Sequence, residues 1–190
     1  MIDRPYFFSH VRPSIFANNL KQSQVDGINA ILDAWDDWAP NSDNRFIAYA
    51  LATAYHETAA TMQPIEEYGR GNGHVYGRLA GPWAQRFYGR GYVQLTWDSN
   101  YVNATAKLRA RGILSDIQNL ERNPELALVP SIAAPIMIFG MLEGWFTGRK
   151  LSDYFSASAN DAFNARRIIN GLDSATSIAI THQEFLEGIE

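Results

Sequence analysis

The stretch "AYHETAATMQPIEEYGRG", residues 54 to 71, joins a helical pattern to a glycine-rich loop and sets two carboxylate positions along the way. Upstream of it, "SDNRFIAYALATAYHETAATM" places Ile47, Leu51, Ala54, Tyr55 and Thr58 on one face, which predicts a helix. Pro64 is expected to end that helix locally, leaving Glu66 and Glu67 in a loop. Glu57 falls nearly in line with Phe46 and Ala50, at the edge of the apolar stripe and near the C-terminal end of the helix. A carboxyl half-desolvated there, beside the negative end of the helix dipole, is favoured in the protonated form that a general acid needs. A solvated helix-end glutamate is the plainer reading, and periodicity alone leaves it open.

His56 followed by Glu57 also raises the question of a metal. A zinc-binding helix needs H-E-x-x-H, with two imidazoles one turn apart, and here the second position is Ala60. His10, His74 and His182 lie far off in sequence. The chain has no cysteine, so disulfides and thiolate sites are excluded. No metal and no cofactor are expected. The run "GRGNGHVYGR" carries no Gly-Lys-Ser/Thr ending and follows no clear strand, so a nucleotide loop is not supported either.

Outward from this stretch, helical spacing recurs. "SQVDGINAILDAWDDW" repeats apolar residues at Val25, Ile28, Ile31, Leu32 and Trp35, with a serine as expected N-cap. "NYVNATAKLRARG" ends on Gly112, and "PSIAAPIMIFGMLEGWF", "NDAFNARRIING" and "SATSIAITHQEFLEGI" follow. Only "YVQLTW" (Tyr92 to Trp97) alternates like a strand. The expected fold is mainly α, with an irregular glycine-rich region from about Tyr68 to Gly91 and at most a small β element. At 190 residues the whole chain is expected to form a single domain, with residues 1–40 as a helical segment packed on it and no separate wall-binding domain.

Net charge is −4, so no basic field announces nucleic acid. The charge is unevenly spread. Between Gly69 and Arg111 the chain carries Arg70, Arg78, Arg86, Arg90, Lys107, Arg109 and Arg111 against Asp98 alone, a local +6. That middle is either a solvated face or the bed of an anionic or strongly hydrogen-bonding polymer. The apolar run from Ile132 to Leu142 is too short to span a bilayer. "MIDRPYFFSHVRPSIF" lacks an uninterrupted apolar core, so no secretory signal is expected and the chain is expected to be made in the cytoplasm.

"AYHETA", "EEYGRG", "FYGRGYVQLTWDSNY" and "RRIING" together resemble glycoside hydrolase family 19, which holds plant-type chitinases and many phage and prophage endolysins. The leading "FFSHVRPSIFANNLKQSQVDGINAILDAW" is similar to the phage and prophage members. The resemblance implies a lysozyme-like α-helical fold and cleavage of β-1,4 bonds in N-acetylated amino-sugar polymers with inversion. It implies Glu57 as general acid and Glu67 or Glu66 as general base, with Glu67 favoured by its place in "EYG". Thr96 matches the hydroxyl residue that helps hold the nucleophilic water, and Asn100 an asparagine that binds sugar or that water. Gln94 and Asn170 match groove residues that hydrogen-bond substrate.

On residue chemistry alone, Arg90 binds a sugar substituent, ion-pairs with a catalytic glutamate, or is structural. Tyr68, Tyr76, Trp83, Tyr88 and Trp97 are candidates for stacking on sugars, though aromatics at this density are mostly core. The expected activity is that of a peptidoglycan-degrading endolysin, with chitin as the alternative polymer. A non-catalytic glycan-binding module and a zinc-dependent amidase are the readings from other classes. The expected partners are peptidoglycan glycan strands and a separate holin-type protein for release from the cytoplasm to the wall, with the enzyme itself a monomer.

Overall fold

The computed structural model describes residues 2–190. Six helices carry the fold: α1 (Arg4–Ser14), α2 (Gln22–Trp38), α3 (Asn44–Glu57), α4 (Asp98–Arg109), α5 (Pro130–Glu143) and α6 (Ala175–Ile189). Short polar side chains start two of them. The Asp3 carboxylate accepts the Tyr6 amide at the head of α1, and Asp43 accepts the Arg45 amide at the head of α3. α2 departs from expectation. Lys21, not a serine, is its N-cap, and the Gln24 side chain accepts the Lys21 amide at 2.8 Å. Left-handed Gly144 closes α5, and Gly112, at φ +71, follows α4.

α3 is the central helix. It packs along α6, which also holds α1, while α2 packs on α5. Every residue from Ile47 to Ala54 is buried, so the expected single apolar stripe is a helix enclosed on nearly all sides. The helix stops at Glu57, well before Pro64. The Thr58 amide donates to Ala54 and the Ala60 amide to Tyr55, while Ala59, Ala60 and Met62 all take positive φ. A left-handed turn, not the proline, is the terminator. α2 presses against that turn at Gly27, where a Cβ would lie 1.6 Å from the Met62 carbonyl oxygen.

One polar pair lies inside the α3–α6 seam. Tyr49 and His182 are almost fully buried, their rings 5.5 Å apart, and neither the Tyr49 hydroxyl nor either His182 nitrogen has a hydrogen-bond partner. Burial pushes the His182 pKa down to about 4, with the Arg45 charge adding to it; the Ala48 backbone and the Asp43 charge oppose this only in part. The unfolded chain takes up this proton near the ordinary value of 6.5, the folded chain only near 4. Full stability is therefore kept above that upper value and lost as pH falls through the window, by about 3 kcal/mol at its lower end. Urea midpoints taken across this range should fall for the wild type and fall less for His182→Leu. Parallel curves for the two proteins would mean that His182 is not the group responsible.

Among the described residues, strands are limited to three two-residue antiparallel ladders. β1 (Ile65–Glu66) pairs with β4 (Arg90–Gly91), β2 (Leu79–Ala80) with β3 (Gln85–Arg86), and β5 (Phe155–Ser156) with β6 (Ala159–Asn160). "YVQLTW" is not a strand. After β4 the chain doubles back, with Arg90 and Leu95 exchanging two backbone hydrogen bonds and Gln94 at φ +53. Tyr92, Val93 and Leu95 are all buried inside this tight turn, the adjacent Tyr92 and Val93 both facing inward. "NDAFNARRIING" is not an α-helix either; it forms a short 3-10 segment, Asn164–Ile168. The Thr147 hydroxyl contacts the Arg167 and Ile168 carbonyls there, supplying a donor that a helical ladder would otherwise provide. Among the described residues no helix is long and apolar enough to cross a membrane.

Candidate active site

The last residue of α3, Glu57, lines an open groove of about 520 Å³. The β1–β4 ladder delivers Glu67 to it as well, and the turn after β4 supplies Val93 through Trp97. Asn100 reaches in from the first turn of α4, and Phe146, Thr147, Ile169 and Asn170 line it from the segments that follow α5. Six residues singled out in the sequence, Glu57, Glu67, Gln94, Thr96, Asn100 and Asn170, therefore meet at one groove.

The tandem glutamates part company. Glu67 is tied in place beside the groove: its amide donates to the Gly89 carbonyl at 2.7 Å, and its carboxylate accepts from the Gly89 amide at 3.0 Å and from the Tyr76 hydroxyl at 3.1 Å. Glu66 lies outside the groove lining. One of its oxygens accepts the Tyr88 hydroxyl at 2.7 Å, and the other pairs with Arg70 at 2.7 Å. That setting holds the Glu66 carboxyl below its ordinary range, first through the Tyr88 hydrogen bond and then through Arg70. Neighbouring residues of an extended chain point to opposite sides, and this alternation separates the two.

Two aromatic expectations are corrected, and Arg90 takes its structural reading in place of sugar binding. Arg90 is buried: its guanidinium lies 3.7 Å from the Tyr88 ring centroid, donates to Glu125, to the Arg86 and Tyr88 carbonyls and to the Tyr101 hydroxyl, and lines no part of the groove. Tyr88 is buried beneath it, occupied with Glu66. Tyr68 is 84% exposed and outside the groove lining. Of the other aromatics, Tyr76 and Trp97 do line the groove, in an edge-on pair 5.5 Å apart. His56 faces a different depression, shared with Tyr55, Ala59 and Thr181, so His56 and Glu57 do not act on a common point.

Sequence reasoning missed Arg166. It is 3% exposed, and its Nη1 meets the Glu57 carboxylate at 2.5 Å while Nη2 meets Asp173 at 3.0 Å. Nε donates to the Asp173 backbone carbonyl at 3.2 Å. Burial alone would weaken the hold of Arg166 on its proton, but the two carboxylates together outweigh it and raise its pKa. The reading of Glu57 from its helix end alone thus left out a fixed cation at contact distance. The only local signal was a double arginine in "RRIING", which marks neither the partner nor the burial.

Gln94 and Asn100 spend donors on the scaffold. The Gln94 amide donates to the Ile65 and Gly91 carbonyls at 3.1 and 3.3 Å, locking the ladder that carries Glu67. The Asn100 amide donates to the Thr96 carbonyl at 2.9 Å. Each side chain keeps an oxygen acceptor, and with the Thr96 hydroxyl beside them the groove offers the mixed donors and acceptors that sugar hydroxyls and a held water require.

No family model matches the chain. Over 130 residues it is 31% identical to an acidic endochitinase of Dioscorea japonica, a stretch covering 67% of this chain and 47% of that protein. The chain thus spans about half the length of the curated relative it matches. Its backbone superposes on chitinase C from Streptomyces griseus HUT6037 with a TM-score of 0.63 and 22% identity, covering 99% of this chain and 76% of that one. A bacterial family 19 chitinase superposes with a TM-score of 0.60 and 20% identity, covering 99% and 94%. The chain has the family 19 chitinase fold. In this family 19 fold, mainly α and lysozyme-like as the sequence resemblance implied, the groove lies between the end of α3 and the loops around β1 and β4.

Proposed function

We propose that the chain is an inverting glycoside hydrolase that cleaves β-1,4 bonds in polymers of N-acetylated amino sugars. The observation that carries this reading is that Glu57 and Glu67 line one groove from separate elements, together with Thr96 and Asn100. Glu57 protonates the leaving glycosidic oxygen. Glu67 takes a proton from a water that Thr96 and Asn100 orient for attack on the opposite face of the sugar. Arg166 is already in contact with Glu57, so charge left on that carboxyl after proton transfer meets a prepositioned cation. Asp173 holds the far side of the same guanidinium and fixes its aim.

The substrate in this reading is the glycan strand of bacterial peptidoglycan and the role that of an endolysin, assisted by a holin-type protein that opens the membrane. The N-terminal segment similar to phage and prophage members and the arginine-rich middle support it. Chitin is the second reading, favoured by the similarity to an endochitinase. Purified peptidoglycan and chitin oligomers, each digested and followed by mass spectrometry and anomer-resolved NMR, test both. New reducing ends of inverted configuration are expected. Release of free stem peptides, or activity abolished by a chelator, would overturn the glycosidase reading in favour of an amidase.

A further inference from the structure

The glycine-rich region leaves a specific charge imbalance beside the groove. From Tyr68 to Trp97 the chain contains Arg70, Arg78, Arg86 and Arg90 and no acidic residue. Arg70 is paired with Glu66, and Arg90 is buried against Glu125. Arg78 and Arg86 are exposed, and among the described residues neither has a carboxylate partner.

Both stand next to Tyr76, the residue whose hydroxyl reaches Glu67. Arg78 follows Tyr76 by two positions. Arg86 is brought to the same place by the hairpin: it pairs with Leu79, its guanidinium donates to the Gly77 carbonyl at 2.6 Å, and the next residue, Phe87, donates its amide to Tyr76 at 3.1 Å. Gly71 and Gly77 pack so closely that a Cβ on Gly71 would lie 2.5 Å from the Gly77 Cα, which folds this loop back on itself. Two exposed arginines without a carboxylate partner therefore sit on the hairpin beside Tyr76, Arg86 held there by the Gly77 carbonyl.

We infer that Arg78 and Arg86 recognise carboxylates carried by the substrate outside the groove, namely the free carboxylates of the peptide stems on a peptidoglycan strand. This rests on the glycosidase reading and adds a determinant of which polymer is preferred. A chitin strand is uncharged and offers these residues nothing, whereas a stem projecting from an alternate sugar presents carboxylates that guanidinium forks bind bidentately. Leu79 and Trp83, 62% and 42% exposed on the same hairpin, give the aliphatic parts of a stem an apolar surface.

The test compares wild type with the Arg78→Gln/Arg86→Gln double variant on three substrates: native peptidoglycan, the same material with its carboxyls chemically amidated, and chitin oligomers. KM on native peptidoglycan should rise about fivefold in the variant with kcat unchanged. On amidated peptidoglycan and on chitin oligomers the two proteins should match, and added salt should erase their difference on native material. Equal loss on all three substrates, or no loss on any, would overturn the inference, as would wild-type activity confined to chitin oligomers. A wild type that cuts none of the three would instead overturn the glycosidase reading. Melting temperatures of both proteins separate a folding defect from either outcome.

Discussion

Glu57→Gln is expected to lower turnover about a thousandfold while the fold persists. The substitution keeps the side-chain volume and an oxygen toward Arg166, so the buried guanidinium is not stranded; Asp173 still neutralises it. What is lost is the transferable proton. That loss carries a signature: an aryl glycoside whose leaving group departs without protonation should recover much of the lost rate in the variant. Reducing-end release from natural oligomers and from the activated glycoside, measured side by side, decides the matter. Turnover within tenfold of wild type on the natural oligomers, or an equal deficit on both, would remove Glu57 from the acid role.

Glu67→Gln should cost a comparable factor, and Glu66→Gln should not. The difference follows from where the two side chains go. Glu67 reaches the groove, held by the Gly89 amide and the Tyr76 hydroxyl, with lone pairs left for a water. Glu66 has both oxygens engaged by Tyr88 and Arg70 outside the groove lining. Losing its charge should weaken the loop by about 1 kcal/mol and change kcat only a few-fold. Matching losses in the two variants would show that the side-chain alternation does not decide the base. A Glu67 variant of near-normal activity would remove the base assignment altogether.

The parts of the molecule that follow local rules were legible. The spacing of Ile47, Leu51 and Ala54 predicted α3, and Gly112 marked the end of α4. Glu57 was placed at a helix end, where it lies. What was not legible depends on partners distant in sequence. Arg166 meets Glu57 across 109 positions, and no periodicity in either segment encodes that meeting. The role of Arg90 stayed open because nothing nearby in sequence shows that Tyr88, Tyr101 and Glu125 enclose it. "YVQLTW" misled for another reason. Its residue types alternate as in a strand, but the positive φ at Gln94 turns the chain, and a non-glycine residue there gives no warning.

The two carboxylates differ in how stiffly the protein grips them. Glu57 ends a helix enclosed by its neighbours and is clamped by a guanidinium that is itself buried. Glu67 rides on a two-residue ladder whose flanks are glycine-rich loop, secured by a handful of hydrogen bonds. Opening such a ladder exposes little apolar surface, whereas moving the end of α3 disturbs the core. The span between the two carboxylates is thus anchored on one side and compliant on the other. Under the proposed glycosidase reading, a bulky glycan is expected to be accommodated by yielding at the Glu67 side, with Glu57 as the fixed reference.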